Sequence, residues 1–199
     1  MTIFYRLYEN MYVNITNKCS CACVFCIRNG AKGVGGSDSL WLEREPDLDE
    51  IKAAFDKENL KTVREIVFCG YGEPMERAGD VIELCKYMRK KSGLPLRINT
   101  NGLVKLVHPD FDMSLLKAVS SVSVSLNAHN AADYTRVSQP RFGEPAFGAM
   151  LNFAKEAKLY TDVVFTVVDA ADGPDIDECR KLADGMGIRL RIRNWSAEL

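Results

Sequence analysis

Polar residues fall at every second position in several short runs of this chain, and apolar residues fill the positions between them. Tyr12, Asn14 and Thr16 enclose Val13 and Ile15; Arg97, Asn99 and Asn101 follow Leu96 and enclose Ile98; Ser121, Ser123, Ser125 and Asn127 enclose Val122, Val124 and Leu126; Arg189, Arg191 and Arg193 follow Ile188 and enclose Leu190 and Ile192. A period of two puts one set on each side of a pleated strand. The pattern predicts strands at 11–16, 63–69, 96–99, 122–127, 163–168 and 188–193. Between them, apolar residues recur at helical spacing and predict helices at 47–58, 80–91, 113–119, 146–158 and 175–186. The helix at 47–58 carries Ile51, Ala54 and Phe55 on one stripe and acids in its first turn, and the one at 80–91 ends in Arg89, Lys90 and Lys91, which complements the negative carboxyl end of a helix.

Six β-α repeats with right-handed parallel crossovers give an α/β protein. Helices then cover the apolar set of each strand, and the polar set faces inward. An ordinary closed barrel fills its lumen with Val, Ile and Leu, so a polar lumen is built to hold a polar ligand. For the last strand a second reading stands beside this one, in which its arginines sit on a solvated edge. A length of 199 residues predicts one domain over 1–199. The formal charge of -1 removes any bulk electrostatic case for nucleic acid or membrane binding. No signal-like amino terminus or run of eighteen apolar residues is found, so the seven cysteines are expected in a reducing cytoplasm, as thiols or metal ligands and not as a disulfide framework.

Four of those cysteines lie within Cys19-Ser20-Cys21-Ala22-Cys23-Val24-Phe25-Cys26, directly after the first predicted strand. In an α/β barrel that loop is at the active-site end. Cys19, Cys23 and Cys26 have C-x3-C-x2-C spacing, which suits a metal cluster; three thiolates on a [4Fe-4S] cube leave one iron open to another ligand. Reading Cys21 as a ligand gives C-x-C plus C-x-x-C, a structural zinc site, although such sites usually use two pairs separated by a longer loop. Cys69, Cys85 and Cys179 are isolated and read as buried apolar residues, with Cys69 distinguished by ending a strand.

Other polar motifs end the next strands. The second runs into Gly70-Tyr71-Gly72-Glu73-Pro74, a turn whose glycines let backbone groups meet a ligand. The third ends in Asn99-Thr100-Asn101-Gly102 and the fourth in Ser125-Leu126-Asn127. Asn99 can receive an amino group through its amide oxygen. A Gly-rich stretch at 29–46 contains Gly30, Gly33, Gly35, Gly36 and Trp41 and is long for a plain connection. Trp41 either stacks on a ligand ring or pins the loop. His129 and His108 read as structural or solvated loop residues.

Together these motifs resemble the radical S-adenosylmethionine (SAM) superfamily. Cys19, Cys23, Phe25 and Cys26 match its C-x3-C-x-aromatic-C pattern, Gly70 to Pro74 is similar to its G-G-E-P element with Tyr71 in place of the first glycine, and Asn99 to Gly102 resembles the D-T-N-G segment of glycyl-radical-enzyme activases. Residues 12–19, 123–158 and 191–193 are similar to the TatD-associated subgroup. The resemblance implies an incomplete (β/α)6 TIM-like partial barrel, a radical SAM core; from the short chain after the last strand, no auxiliary cluster domain is expected. Its implied cofactors are a [4Fe-4S] cluster on Cys19, Cys23 and Cys26, and SAM, which is reductively cleaved to methionine and a 5′-deoxyadenosyl radical. Implied SAM contacts are Phe25, Gly72, Glu73, Pro74, Asn99, Thr100, Ser125, Asn127 and Arg193. Implied partners are a reductant such as flavodoxin or ferredoxin, a protein covering the open side of the barrel, and a substrate that is anionic if the arginines of the last strand line the lumen. Two rival readings are an activase of a glycyl-radical protein and a non-catalytic iron-sulfur carrier.

Overall fold

The computed structural model describes residues 1–30, 34, 36–169 and 173–194. Its strands form one seven-stranded sheet in chain order, β1 (Phe4–Leu7), β2 (Asn10–Val13), β3 (Glu65–Phe68), β4 (Leu96–Thr100), β5 (Ser121–Ser125), β6 (Asp162–Asp169) and β7 (Arg189–Asn194). Each pair from β2 to β7 is parallel, so the six strands expected from the alternation are all present. The addition is β1, which pairs antiparallel with β2 from Phe4↔Val13 to Leu7↔Asn10. Its turn contains Tyr8 at φ 54, not the glycine or asparagine that marks a tight hairpin in sequence.

Helices α1 (Leu48–Phe55), α2 (Ala78–Ser92), α5 (Pro145–Ala157) and α6 (Ile176–Gly185) lie where helical spacing put them. Asp47 caps α1 in a capping box with Glu50, and Gly93, at φ 66, ends α2 in the left-handed conformation. The segment expected to be a short helix at 113–119 is a 3-10 turn, Met113–Ala118. Two helices were not legible, α3 (Val104–Val107) and α4 (Ala131–Ser138), the latter capped by the Asn130 side chain.

The two faces of the sheet follow strand parity. Val13, Ile66, Phe68, Ile98, Val122, Val124, Phe165 and Val167 are buried in the main core with Ile51 and Phe55 of α1, Val81, Leu84 and Met88 of α2 and Met150 and Phe153 of α5. Cys85 and Cys179 are fully buried in that core, as expected of isolated cysteines. The opposite face carries Tyr12, Arg97, Asn99, Ser121, Ser123, Ser125, Thr166 and the β7 arginines, and is the concave side of the trough. Among the described residues no helix is long and apolar enough to cross a membrane.

Candidate active site at the carboxyl ends of the strands

The cysteine loop follows β2 and is strapped to two other parts of the chain. Backbone amides of Ala22 and Val24 donate to the carbonyls of Ser138 (3.1 Å) and Val137 (2.9 Å), Arg141 N donates to Ser20 O (2.9 Å), and Cys21 forms a bridge with Pro140. On the other side, Asn101 Nδ2 at the end of β4 donates to Ser20 Oγ at 3.0 Å and to Cys21 Sγ at 3.6 Å. These straps turn one thiol inward. Cys21 is 5% exposed, whereas Cys19, Cys23 and Cys26 are half-buried, and all the cysteines are free thiols. The buried Tyr134 hydroxyl lies under the loop near Cys21 and Cys23, where burial, with these thiols beside it, raises its pKa.

The loop's electrostatics divide the thiols again. A hydrogen bond from Cys21 lowers the Cys23 thiol and correspondingly raises Cys21. Burial, with Glu73 nearby, pushes Cys19 up to about 12, and burial also raises Cys26. Arg28, whose Nη2 donates to Cys21 O at 3.3 Å, opposes these increases at Cys19 and Cys26. Metal ligation removes such protons by supplying a stronger positive partner.

The turn after β3 abuts the same loop. A Cβ on Gly72 would stand 2.2 Å from the carbonyl oxygen of Thr16 and 2.7 Å from that of Lys18, and the neighbouring Glu73 N donates to Lys18 O at 2.8 Å. At Gly70 a Cβ would meet the Asn14 side chain at 2.0 Å. Close packing of the turn against the strand end and loop therefore requires these glycines, a structural reason that stands beside the expected backbone contact with a ligand. Glu73, 6% exposed, accepts from Met75 N (3.0 Å) and Asn101 N (2.7 Å), joining the turn to the end of β4. Burial raises its pKa to about 7. Pro74 is buried at the start of the 3-10 turn Pro74–Arg77. Tyr71, in the position where a glycine was expected, packs in a small cluster with Tyr5, Val34 and Leu40, and Trp41 meets its ring edge-on at 5.3 Å. Trp41 stays exposed beyond this contact, which suits the pinning reading and leaves the stacking reading open; Gly33 and Gly35 of the same stretch lie outside the described residues.

The remaining candidates divide by what their side chains already hold. Thr100 Oγ1 accepts from Gly102 N at 3.0 Å, and Asn127, at φ 59, donates to Ser138 Oγ at 3.0 Å. Both are buried and serve as internal ties. Asn99 Oδ1 accepts from Arg97 Nη1 at 2.5 Å, and Ser125 is half-buried beside Thr166 on the concave face. Phe25 is half-buried against the main core. His129 Nε2 contacts Asn130 and its Nδ1 is buried without a partner; His108 Nε2 lies 3.0 Å from Glu76 O.

On β7, Arg189 pairs with Asp162 at 3.1 Å, at the end of the strands away from the cysteines. Arg193 lies toward the thiol-bearing end, with Cys69, Arg97, Tyr12 and Arg191 as its charged or ionisable neighbours. Protein atoms crowding one side of the guanidinium, with Arg97 and Arg191 adding repulsion, lower its pKa, although the side chain itself stays exposed, as do Arg189 and Arg191. Sequence reading did not foresee Ser20, Arg28, Tyr134, Ser138 or the buried carboxylate of Glu73 as parts of this site. Ser20, inside the cysteine run, and Arg28, two residues after Cys26, had a local signal.

A trough of parallel strands with a thiol-bearing loop and polar motifs at their carboxyl ends defines an open-barrel α/β protein with free thiols gathered at one end. The Radical SAM superfamily model matches residues 13–184, and the chain belongs to that superfamily, whose enzymes use a [4Fe-4S] cluster and SAM. It is 27% and 26% identical, over 195 residues in each case, to the GTP 3',8-cyclases of Rhodopseudomonas palustris strains TIE-1 and ATCC BAA-98 / CGA009. These alignments cover 95% of this chain and 53% of each relative, so the chain spans about half the length of the curated relatives it matches. Similar solved folds include TYW1 with a lysine-pyruvate adduct bound (TM-score 0.66, 15% identity, 95% of this chain and 65% of that one). Methylornithine synthase (PylB) has a TM-score of 0.59 at 16% identity, covering 94% of this chain and 53% of that one. Native anSMEcpe with bound AdoMet has a TM-score of 0.59 at 18% identity, covering 93% and 50%. By kind the donors suit the cluster, three half-buried free thiols of one short loop with a cationic side chain beside them, although among the described residues no three His, Cys, Asp or Glu side chains are gathered as a metal-ion site.

Proposed function

We propose that Cys19, Cys23 and Cys26 hold the [4Fe-4S] cluster and that the trough below them receives an anionic substrate. The observation that carries this reading is the division of the loop's thiols, with Cys21 packed inward while the other three stay half-exposed. When bound, the cluster supplies one electron to SAM, whose cleavage to methionine and a 5′-deoxyadenosyl radical provides the species that takes hydrogen from the substrate. The protein's part is to position ligands and exclude side reactions. In this reading Phe25, Asn99, Ser125 and the backbone of Gly72, Glu73 and Pro74 contact SAM, and Arg193 pairs with its carboxylate. Thr100, Asn127 and the Glu73 carboxylate act one step behind, by fixing the strand ends through their internal hydrogen bonds.

The curated relatives are named for GTP, a polyanion, and the concave arginines suit a substrate of that charge type. Assignment to the TatD-associated subgroup rests on the similarity of residues 12–19, 123–158 and 191–193. In this reading a flavodoxin- or ferredoxin-type donor supplies the electron, and free cysteines with an oxidation-sensitive cluster support a reducing cytoplasm as the compartment. The test is anaerobic reconstitution followed by reduction with SAM and mass spectrometry of the products. We expect slow formation of 5′-deoxyadenosine and methionine without substrate, and deuterium transfer into 5′-deoxyadenosine with the right labelled one. A fully loaded, reducible cluster that binds SAM and never cleaves it would overturn the reading in favour of a carrier.

A further inference from the structure

The concave face carries four arginines, and their charges are not balanced alike. Arg97 gives Nε (3.0 Å) and Nη2 (2.8 Å) to Glu65 and Nη1 to Asn99, so both its charge and its fork are engaged. Arg189 is paired with Asp162. Arg191 and Arg193 have no carboxylate within salt-bridge distance among the described residues. Two of the four positive charges are thus matched, and two, those of Arg191 and Arg193, are left without a carboxylate.

Register locates the open pair. Arg193 lies beside Val168, while Arg191 lies beside Thr166, which in turn lies beside Ser125 on β5. Two residues along a strand advance about 6.6 Å, and adjacent strands are about 4.8 Å apart. Arg191 is therefore one step deeper in the trough than Arg193 and two strands from Ser125. The same face holds a second sign of unfilled polar capacity: the Ser123 hydroxyl is buried without a hydrogen-bond partner. Buried polar atoms in native proteins are nearly always paired, by protein, water or ligand.

We infer that Arg191 is a substrate-binding residue that anchors a phosphate-type oxyanion in the trough, below the position of SAM. This rests on the radical SAM reading, in which Arg193 is taken by the SAM carboxylate and Arg191 remains for the substrate. A guanidinium presents parallel donors that match two oxygens of a phosphate, a geometry lysine cannot reproduce. Because β7 is the edge of the sheet and Arg191 is exposed, a ligand reaches it from the open side of the trough.

The probe is inorganic phosphate, titrated by calorimetry into the reconstituted chain with SAM bound, with malonate as a carboxylate comparison. Arg191→Gln should weaken phosphate binding about 10- to 100-fold, the range of a lost charged hydrogen bond. Arg191→Lys should weaken it less, and Arg89→Gln, at the exposed end of α2, should leave it unchanged. Absence of saturable phosphate binding, or equal binding by wild type and Arg191→Gln, would overturn the inference. Equal or tighter Arg191-dependent binding of malonate would overturn its phosphate class. Substrate-free SAM cleavage measured on the same samples separates the two claims: its absence beside Arg191-dependent phosphate binding defeats the radical reading and leaves the anion site, whereas its presence without phosphate binding does the reverse. A melting curve for each variant checks the fold.

Discussion

The two faces of the sheet are made by alternate residues of the same strands, yet they have opposite character. On the convex face Val122, Val124, Phe165 and Val167 are buried against helices, with Thr100 beside Val124 as a buried polar neighbour whose hydroxyl is tied to Gly102 N. On the concave face, one residue away in each case, lie Ser121, Ser123, Ser125, Thr166 and Arg191. The difference teaches that burial and chemistry have been assigned to separate sides of one element. Folding energy comes from the convex side, where apolar area leaves water, and the concave side retains unpaired charge and hydroxyls that add little to stability.

Substitutions on the two faces should therefore diverge. Phe165→Ala on the convex side should cost about 3–5 kcal/mol in urea unfolding, because a fully buried ring leaves a cavity that the surrounding helices only partly fill. A loss below about 1 kcal/mol would show that this face is not the main core.

The acid at the junction of turn and strand gives an intermediate effect with a definite pH dependence. Burial raises Glu73 from 4.5 to about 7, so between those values the native state keeps a proton that the unfolded chain has released. Stability must then fall as pH rises through that window. Urea unfolding of the cluster-free chain at several pH values should show this slope, and Glu73→Gln should remove it; an unchanged slope in the variant would place the titrating group elsewhere.

The smallest effect belongs to the concave floor. Ser123→Ala removes a buried hydroxyl that has no partner, so stability should change by no more than about 0.5 kcal/mol, or increase. Destabilisation comparable with that of Phe165→Ala would mean that the floor is structural and would erase the contrast between the faces.

Much of this contrast was legible in the sequence because strand parity is a local property: Ser121, Ser123 and Ser125 declare their shared face without knowledge of any neighbour. The cysteine spacing was legible for the same reason. What escaped depends on contacts between distant segments. The ties from residues 137 and 138 to the cysteine loop, and from Asn101 to Ser20, join positions about a hundred residues apart or more than eighty, and no local pattern announces them. Gly72 was visible as a glycine, but its reason, the carbonyls of Thr16 and Lys18, was not. Arg189 had the same parity as Arg191, and only the ion pair with Asp162, two residues before its strand partner Val164, shows that its charge is already matched. Strand β1 was missed because its turn uses Tyr8, a residue that gives no turn signal.

The central claim is that this loop has three cluster ligands and one packing thiol, and iron content with the electron paramagnetic resonance spectrum of the reduced chain tests it most directly. Wild type and Cys21→Ser should each bind about four irons per chain and show a [4Fe-4S] signal that changes on adding SAM, whereas Cys19→Ser, Cys23→Ser and Cys26→Ser should each lose the intact cluster. Loss of the cluster in Cys21→Ser as complete as in Cys23→Ser would contradict the account.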